Sequence, residues 1–176
     1  STIARLFEDG GFAKVDFEDH PDIFVINTCS VTENADKKCK QLVKRAKKIS
    51  PDSMVIILGC YAQLKPEEIS RIPGVDLVLG ANEKFNVLEH LQKRNEVQVV
   101  HQNIKHTHDF IPSHSYGDRT RSFLKVRDGC DYFCTFCTVP LARGKSRNAS
   151  IAQTVVEAQK IAQTDVKEVV LTGVNI

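Results

Sequence analysis

Three short apolar runs limit what this chain can fold into. They lie in Asp22–Thr28, Met54–Gly59 and Asp76–Gly80, each of strand length and almost continuous in Val, Ile, Leu and Phe. Such runs suit strands buried on both faces, as in a parallel sheet covered by helices. Between the first two, Glu33–Ile49 carries Ala35, Cys39, Leu42, Val43, Ala46 and Ile49 at helical spacing, and Pro51 ends the pattern. Pro66–Arg71 reads as a short helix. Asn82 is placed to cap a helix over Glu83–Arg94, and Glu96–His101 reads as a further strand. Ahead of the first run, Ser1–Glu8 reads as a helix tail closed by Gly10-Gly11, and Ala13–Phe17 as a short strand. Strand and helix alternate, so the expected class is α/β with a parallel sheet.

From Gln102 to Asp118 the periodicity stops, and His, Ser, Thr, Pro and Gly take over. This stretch is expected to be a polar linker, with His106, His108 and His114 on its surface rather than on a metal. Beyond it, Arg121–Val126 reads as a strand. Ser150 caps a helix to Gln163, with Ile151, Val155, Ala158 and Ala162 on one face, and Lys167–Thr172 is the next strand. The expected organisation is an α/β domain over 1–103, a linker over 104–118, and over 119–176 the first β/α unit of a barrel. Barrel active sites sit at the C-terminal ends of the strands, which is where Arg121–Val126 delivers the chain into a cysteine-rich loop.

That loop holds Cys130, Cys134 and Cys137, half of the six cysteines in the 176 residues, in a C-x3-C-x2-C array. No apolar run approaches a membrane span and no signal sequence opens the chain, so free thiols in a reducing cytosol, binding metal, are expected rather than disulfides. Soft thiolates take zinc or iron–sulfur centres. A structural zinc site wants four protein ligands, and the nearest upstream histidine, His114, lies sixteen residues before Cys130. A [4Fe–4S] cluster on three cysteines would leave one iron open to a substrate; a zinc knuckle is the alternative. Cys29 and Cys60 each follow a buried run, so both are expected at the carboxyl edge of the sheet. There they suit either a shared metal centre or two buried thiols. Cys39 falls on the apolar stripe of its helix and is expected in the core.

With Phe136 before its last cysteine and Pro140 after it, the array resembles the cluster loop of the radical S-adenosylmethionine enzymes. Asn27-Thr-Cys-Ser-Val-Thr32 together with Gly59-Cys-Tyr-Ala-Gln63 is similar to the N-terminal domain of the methylthiotransferases of that group. The settings Asp36–Lys40 and Asp131–Gly144 resemble its bacterial branch that acts on threonylcarbamoyladenosine beside the tRNA anticodon. The resemblance implies two [4Fe–4S] clusters and S-adenosylmethionine. One cluster would sit on Cys130, Cys134 and Cys137 in the partial radical SAM barrel. The other, auxiliary cluster would sit on Cys29 and Cys60 with a third ligand upstream of Ser1, because this sequence reads as a piece of a longer chain. It further implies Phe133 and Phe136 as cover for the first cluster, and Arg143 and Asn175 as S-adenosylmethionine contacts. The implied reaction replaces C2–H of the adenine by a methylthio group, using an electron from flavodoxin or ferredoxin. The expected protein is a cytoplasmic monomer that touches no membrane.

Charge is read by its distribution, since the net value is only +2. Lys37, Lys38, Lys40, Lys44, Arg45, Lys47 and Lys48 are expected to form the solvated face of their helix. Arg119, Arg121, Lys125, Arg127, Arg143, Lys145 and Arg147 surround the cysteine loop against Asp128 and Asp131, which suits an RNA partner such as an anticodon loop. The rival readings are methylthiolation of a ribosomal protein, and a zinc or iron–sulfur RNA-binding module without catalysis.

Overall fold

The computed structural model describes residues 2–29, 33–91, 97–106, 110–115 and 120–174. The chain divides into two compact units, Leu6–Ile104 and Lys105–Ile176, the second grouped with Ser1–Arg5.

The first unit is built on a four-stranded parallel sheet in the order β1 (Ile23–Thr28), β2 (Met54–Gly59), β3 (Leu77–Leu79), β4 (Gln98–Val100). α1 (Thr2–Asp9) precedes β1, and α2 (Glu33–Ile49) crosses from β1 to β2. The short helices α3 (Cys60–Leu64) and α4 (Pro66–Ser70) lie between β2 and β3. A 3-10 turn over Glu83–Asn86 and α5 (Val87–His90) lie between β3 and β4. Parallel neighbours need such crossovers, and the helices bury the sheet. The central strands β2 and β3 are buried from Val55 to Leu58 and from Leu77 to Leu79. β1 differs from the expectation. Only Phe24 and Ile26 are fully buried in it, in alternation, because it is an edge strand. Cys39, Val43 and Ala46 of α2 join Phe24, Ile26, Val55, Ile57, Tyr61 and Ile69 in one apolar core. Cys39 is thus a core residue; the side chain of Ala35 lies outside the described residues.

Two further expectations fail here. Ala13–Phe17 is not a strand. Its end is held by side chains instead, Phe17 against Phe24 with ring centres 4.7 Å apart and Arg45 over the Phe17 ring. Asn82 does not cap a helix, because its backbone is already helical (φ −85°, ψ −44°) and a cap residue must stay extended. The remainder of that expected helix, from Gln92, and the start of the expected strand at Glu96 lie outside the described residues.

In the second unit, β6 (Arg121–Lys125) pairs parallel with β9 (Glu168–Thr172), and α7 (Ile151–Ala162) lies between them in sequence. Ser150 and Gln153 close a full capping box at the start of α7. The expected linker carries structure. Ile104–His106 makes a 3-10 turn, and β5 (Ser113–His114) pairs antiparallel with β6. His114 is therefore not on the surface: its side chain is 4% exposed, and Nδ1 lies 2.9 Å from Glu157 Oε2. Glu157 lies on the side of α7 that faces inward. Glu157 and Ile161 are buried, whereas Ile151 is 85% exposed and Val155 is exposed, so the expected apolar face is not the packed one. His108 lies outside the described residues.

Candidate metal centres

The first candidate centre grows out of the sheet edge. β1 and β2 run in register from Ile23–Met54 to Thr28–Gly59, so Cys29 and Cys60 are the residues that follow the ends of two adjacent parallel strands. Neighbouring strands lie about 4.8 Å apart. The Thr28 hydroxyl donates to the Leu58 carbonyl at 2.8 Å and ties the two ends together. Gly59 lets the strands meet there. It has φ 107° and ψ −160°, a conformation open almost only to glycine. A Cβ at this position would stand 2.3 Å from the Thr28 carbonyl oxygen and 2.6 Å from Asn27 Oδ1. Cys60 then opens α3, whose position is fixed by its next residues. Tyr61 is fully buried and donates to Glu68 at 2.9 Å. Gln63 Oε1 accepts from Ala81 N, and its Nε2 donates to the Gln102 carbonyl. The motif residues Tyr61 and Gln63 are thus the braces that hold Cys60 at the sheet edge. Cys29 is exposed and Cys60 half-buried, both as free thiols. Ser30, Val31 and Thr32 of the motif lie outside the described residues.

The second candidate centre is a loop pinched at its base. β7 (Arg127–Asp128) pairs antiparallel with β8 (Arg147–Asn148), and the chain between them closes by Cys130 N donating to the Gly144 carbonyl at 3.1 Å. Ser146 N donates to Asp131 Oδ1, and Arg127 Nε to Ser146 Oγ. Gly129 makes this approach possible. It has φ 73°, and a Cβ there would stand 2.0 Å from the Lys145 carbonyl oxygen. Inside the pinch, Cys137 N donates to the Cys134 carbonyl at 3.0 Å, and α6 (Val139–Arg143) follows with Pro140 buried in its first turn.

Asp128 organises the base. Its carboxylate takes Lys125 Nζ at 2.6 Å, Arg143 Nη1 at 3.3 Å, Arg147 Nη2 at 3.6 Å and Gly129 N at 3.0 Å. Burial alone raises its pKa. The charge and hydrogen bond of Lys125, the charge of Arg143 and the Gly129 N–H outweigh burial and hold it below the usual aspartate value. Arg143, expected to reach a cofactor, is bonded to the chain's own carboxylate. Arg147 also donates to the carbonyls of Arg143 and Lys145.

The three loop cysteines are free, Cys130 and Cys137 half-buried and Cys134 exposed. Their chemistry fits an iron–sulfur centre, although no three His, Cys, Asp or Glu side chains are gathered into a ligating group among the described residues. Phe133 and Phe136, expected as cover, are 73% and 90% exposed. The closing contacts engage residues 128–131 and 144–147 and leave the tip of the loop outward. Asn175 and Arg119 lie outside the described residues. Sequence reasoning named Gly59 in a motif and Asp128 among the charges around the loop, but missed the roles of Gly59, Gly129 and Asp128. The signal available was the doublet Gly-Cys, which occurs at 59–60 and again at 129–130.

Residues 1–80 match the model of a family described as "Uncharacterized protein family UPF0004". A threonylcarbamoyladenosine tRNA methylthiotransferase of Bacillus subtilis is 40% identical over 178 residues, 98% of this chain and 40% of that protein. The protein of the same name from Aquifex aeolicus is 40% identical over 99% of this chain and 44% of its own length. A tRNA-2-methylthio-N(6)-dimethylallyladenosine synthase of Rickettsia prowazekii is 34% identical over 99% of this chain and 42% of that protein. The chain spans about two fifths of the length of these curated relatives.

Proposed function

We propose that this chain, which belongs to the methylthiotransferase family, acts in adding a methylthio group to C2 of threonylcarbamoyladenosine in tRNA. The observation that carries this reading is the identity of 40% to two threonylcarbamoyladenosine tRNA methylthiotransferases over almost the whole chain. That span includes both Gly-Cys junctions. In this reading Cys130, Cys134 and Cys137 hold a [4Fe–4S] cluster with one open iron, and Cys29 and Cys60 contribute to a second. The first cluster, when bound, supplies the one-electron cleavage of S-adenosylmethionine that an unreactive aromatic C–H requires.

The chain's own residues position and balance. Gly129 allows the loop to close, and Asp128 fixes Lys125, Arg143 and Arg147 at its base while cancelling part of their charge. The positive charge left over favours an anionic thiolate-ligated cluster and an RNA substrate. Gly59 and Tyr61 hold Cys60 beside Cys29. Phe136 and Asn175 complete the proposed cofactor surround. The proposed partners are the tRNA anticodon loop and a flavodoxin- or ferredoxin-like electron donor, and the proposed setting is a cytoplasmic monomer. No described helix is long and apolar enough to cross a membrane.

Deleting the encoding gene in its host tests the reading through the nucleosides of bulk tRNA. The 2-methylthio form of threonylcarbamoyladenosine should disappear and its unmethylthiolated parent accumulate. Persistence of the methylthio nucleoside, with loss of a methylthio group from a ribosomal protein instead, would move the chain to the protein-modifying reading.

A further inference from the structure

Within the first unit, α2 and the end of α4 enclose an open groove of about 760 Å3 lined by Lys40, Lys44, Glu68, Arg71, Ile72 and Pro73. Its charge is unbalanced. Glu68 is the one carboxylate of the lining, and it is already engaged by the Tyr61 hydroxyl at 2.9 Å, Lys65 at 3.3 Å and Lys40 at 3.4 Å. The side chains of Lys44 and Arg71 are exposed and have no hydrogen-bond or ion-pair partner among the described residues. The same helix shows that its cations find partners where the fold needs them. Arg45 pairs with Glu18, and Lys47 with Asp76 and the Ser53 carbonyl. Lys40 and Lys44 stand one helical turn apart, about 6 Å along the axis, and Arg71 lines the same groove. Ile72 and Pro73 give the groove an apolar part, suited to a sugar or base edge between phosphates.

We propose that Lys40, Lys44 and Arg71 form a docking groove for the phosphate backbone of the RNA substrate. Phosphate contacts of this kind set register and affinity without reading sequence. The inference rests on the tRNA reading above, and it adds a contact surface that the cysteine sites do not supply.

The test measures binding of a fluorescein-labelled anticodon stem-loop RNA to this chain by anisotropy across a salt series. Lys44→Ala/Arg71→Ala should bind about tenfold more weakly. Its log–log salt slope should be shallower by about 1.4–1.8, since each phosphate contact contributes roughly 0.7–0.9. Lys44→Arg and the exposed Lys14→Ala, which lies outside the groove, should bind as wild type, and circular dichroism checks that all variants fold. If the wild-type chain binds the RNA and the double variant keeps both affinity and slope, the groove inference is overturned while the tRNA reading stands. If the wild-type chain does not bind the RNA even at low salt, the groove inference is overturned, and the tRNA reading is decided by the nucleosides of bulk tRNA. If the double variant keeps the RNA but loses poly-glutamate, the groove serves an acidic protein and the inference is again overturned.

Discussion

Gly59–Cys60 and Gly129–Cys130 solve the same geometric problem in two different settings. In each, a glycine with positive φ packs against a backbone carbonyl at a distance that leaves no space for a Cβ, and a thiol follows at once. The Gly59 junction ends a buried central strand, where register with β1 and the core beneath Tyr61 fix everything around it. The Gly129 junction closes a loop whose base is held by a two-residue ladder and the ions around Asp128. The first site is positioned by packing, the second by charge and a pinch. Rigidity of the two should therefore respond to different insults.

The sharpest way to break the parallel is to add one methyl to each glycine. Gly59→Ala forces a Cβ against fixed backbone in a Gly-only conformation, and should destabilise the first unit by on the order of 4 kcal/mol in urea unfolding. Gly129→Ala also drives its Cβ into backbone, 2.0 Å from the Lys145 carbonyl oxygen, but at a loop base held by a two-residue ladder rather than in the central sheet, so a loss of about 2 kcal/mol is expected. The iron retained by the loop should nevertheless fall as far as in a cysteine variant. Equal stability losses in the two variants would erase the distinction.

Between these stands Asp128→Asn. It leaves three cations at the loop base without their carboxylate and should cost about 3 kcal/mol, toward the low end for a broken buried pair because Lys125 and Arg143 reach solvent. Its pH dependence has a definite sign. The Asp128 pKa is lowered in the fold, so its contribution is fully present above the usual aspartate range and is lost as pH falls through the folded value. Acid titration of unfolding should show this loss in wild type and not in the variant. The smallest effect is expected from Tyr61→Phe, which removes the hydroxyl that donates to Glu68. About 1 kcal/mol of first-unit stability should go.

The buried strands and α2 were legible because apolar periodicity is a local signal. Helix 33–49 and strand 54–59 appear with the expected bounds, and Cys39 sits in the core. Long-range partnership was not legible. The edge position of β1 thins its burial, and α7 packs through Glu157 and Ile161, with His114 paired to Glu157, rather than through its Ile151–Val155 face. The Phe17–Phe24 contact holds a segment that resembled a strand. At the candidate sites, thiol chemistry could be read from spacing alone. The glycines that admit the thiols and the carboxylate that gathers Lys125, Arg143 and Arg147 show only once the chain closes on itself.

The central claim is that the loop is complete in its own three cysteines for one iron–sulfur cluster, whatever the Cys29–Cys60 edge holds. The most direct test is iron and sulfide per chain after anaerobic reconstitution, for wild type, Cys134→Ala and Cys60→Ala. The account predicts about four irons that are lost in Cys134→Ala and retained in Cys60→Ala, as one cubane cluster on the loop requires. Zinc in place of iron, or iron that survives Cys134→Ala undiminished, would contradict it.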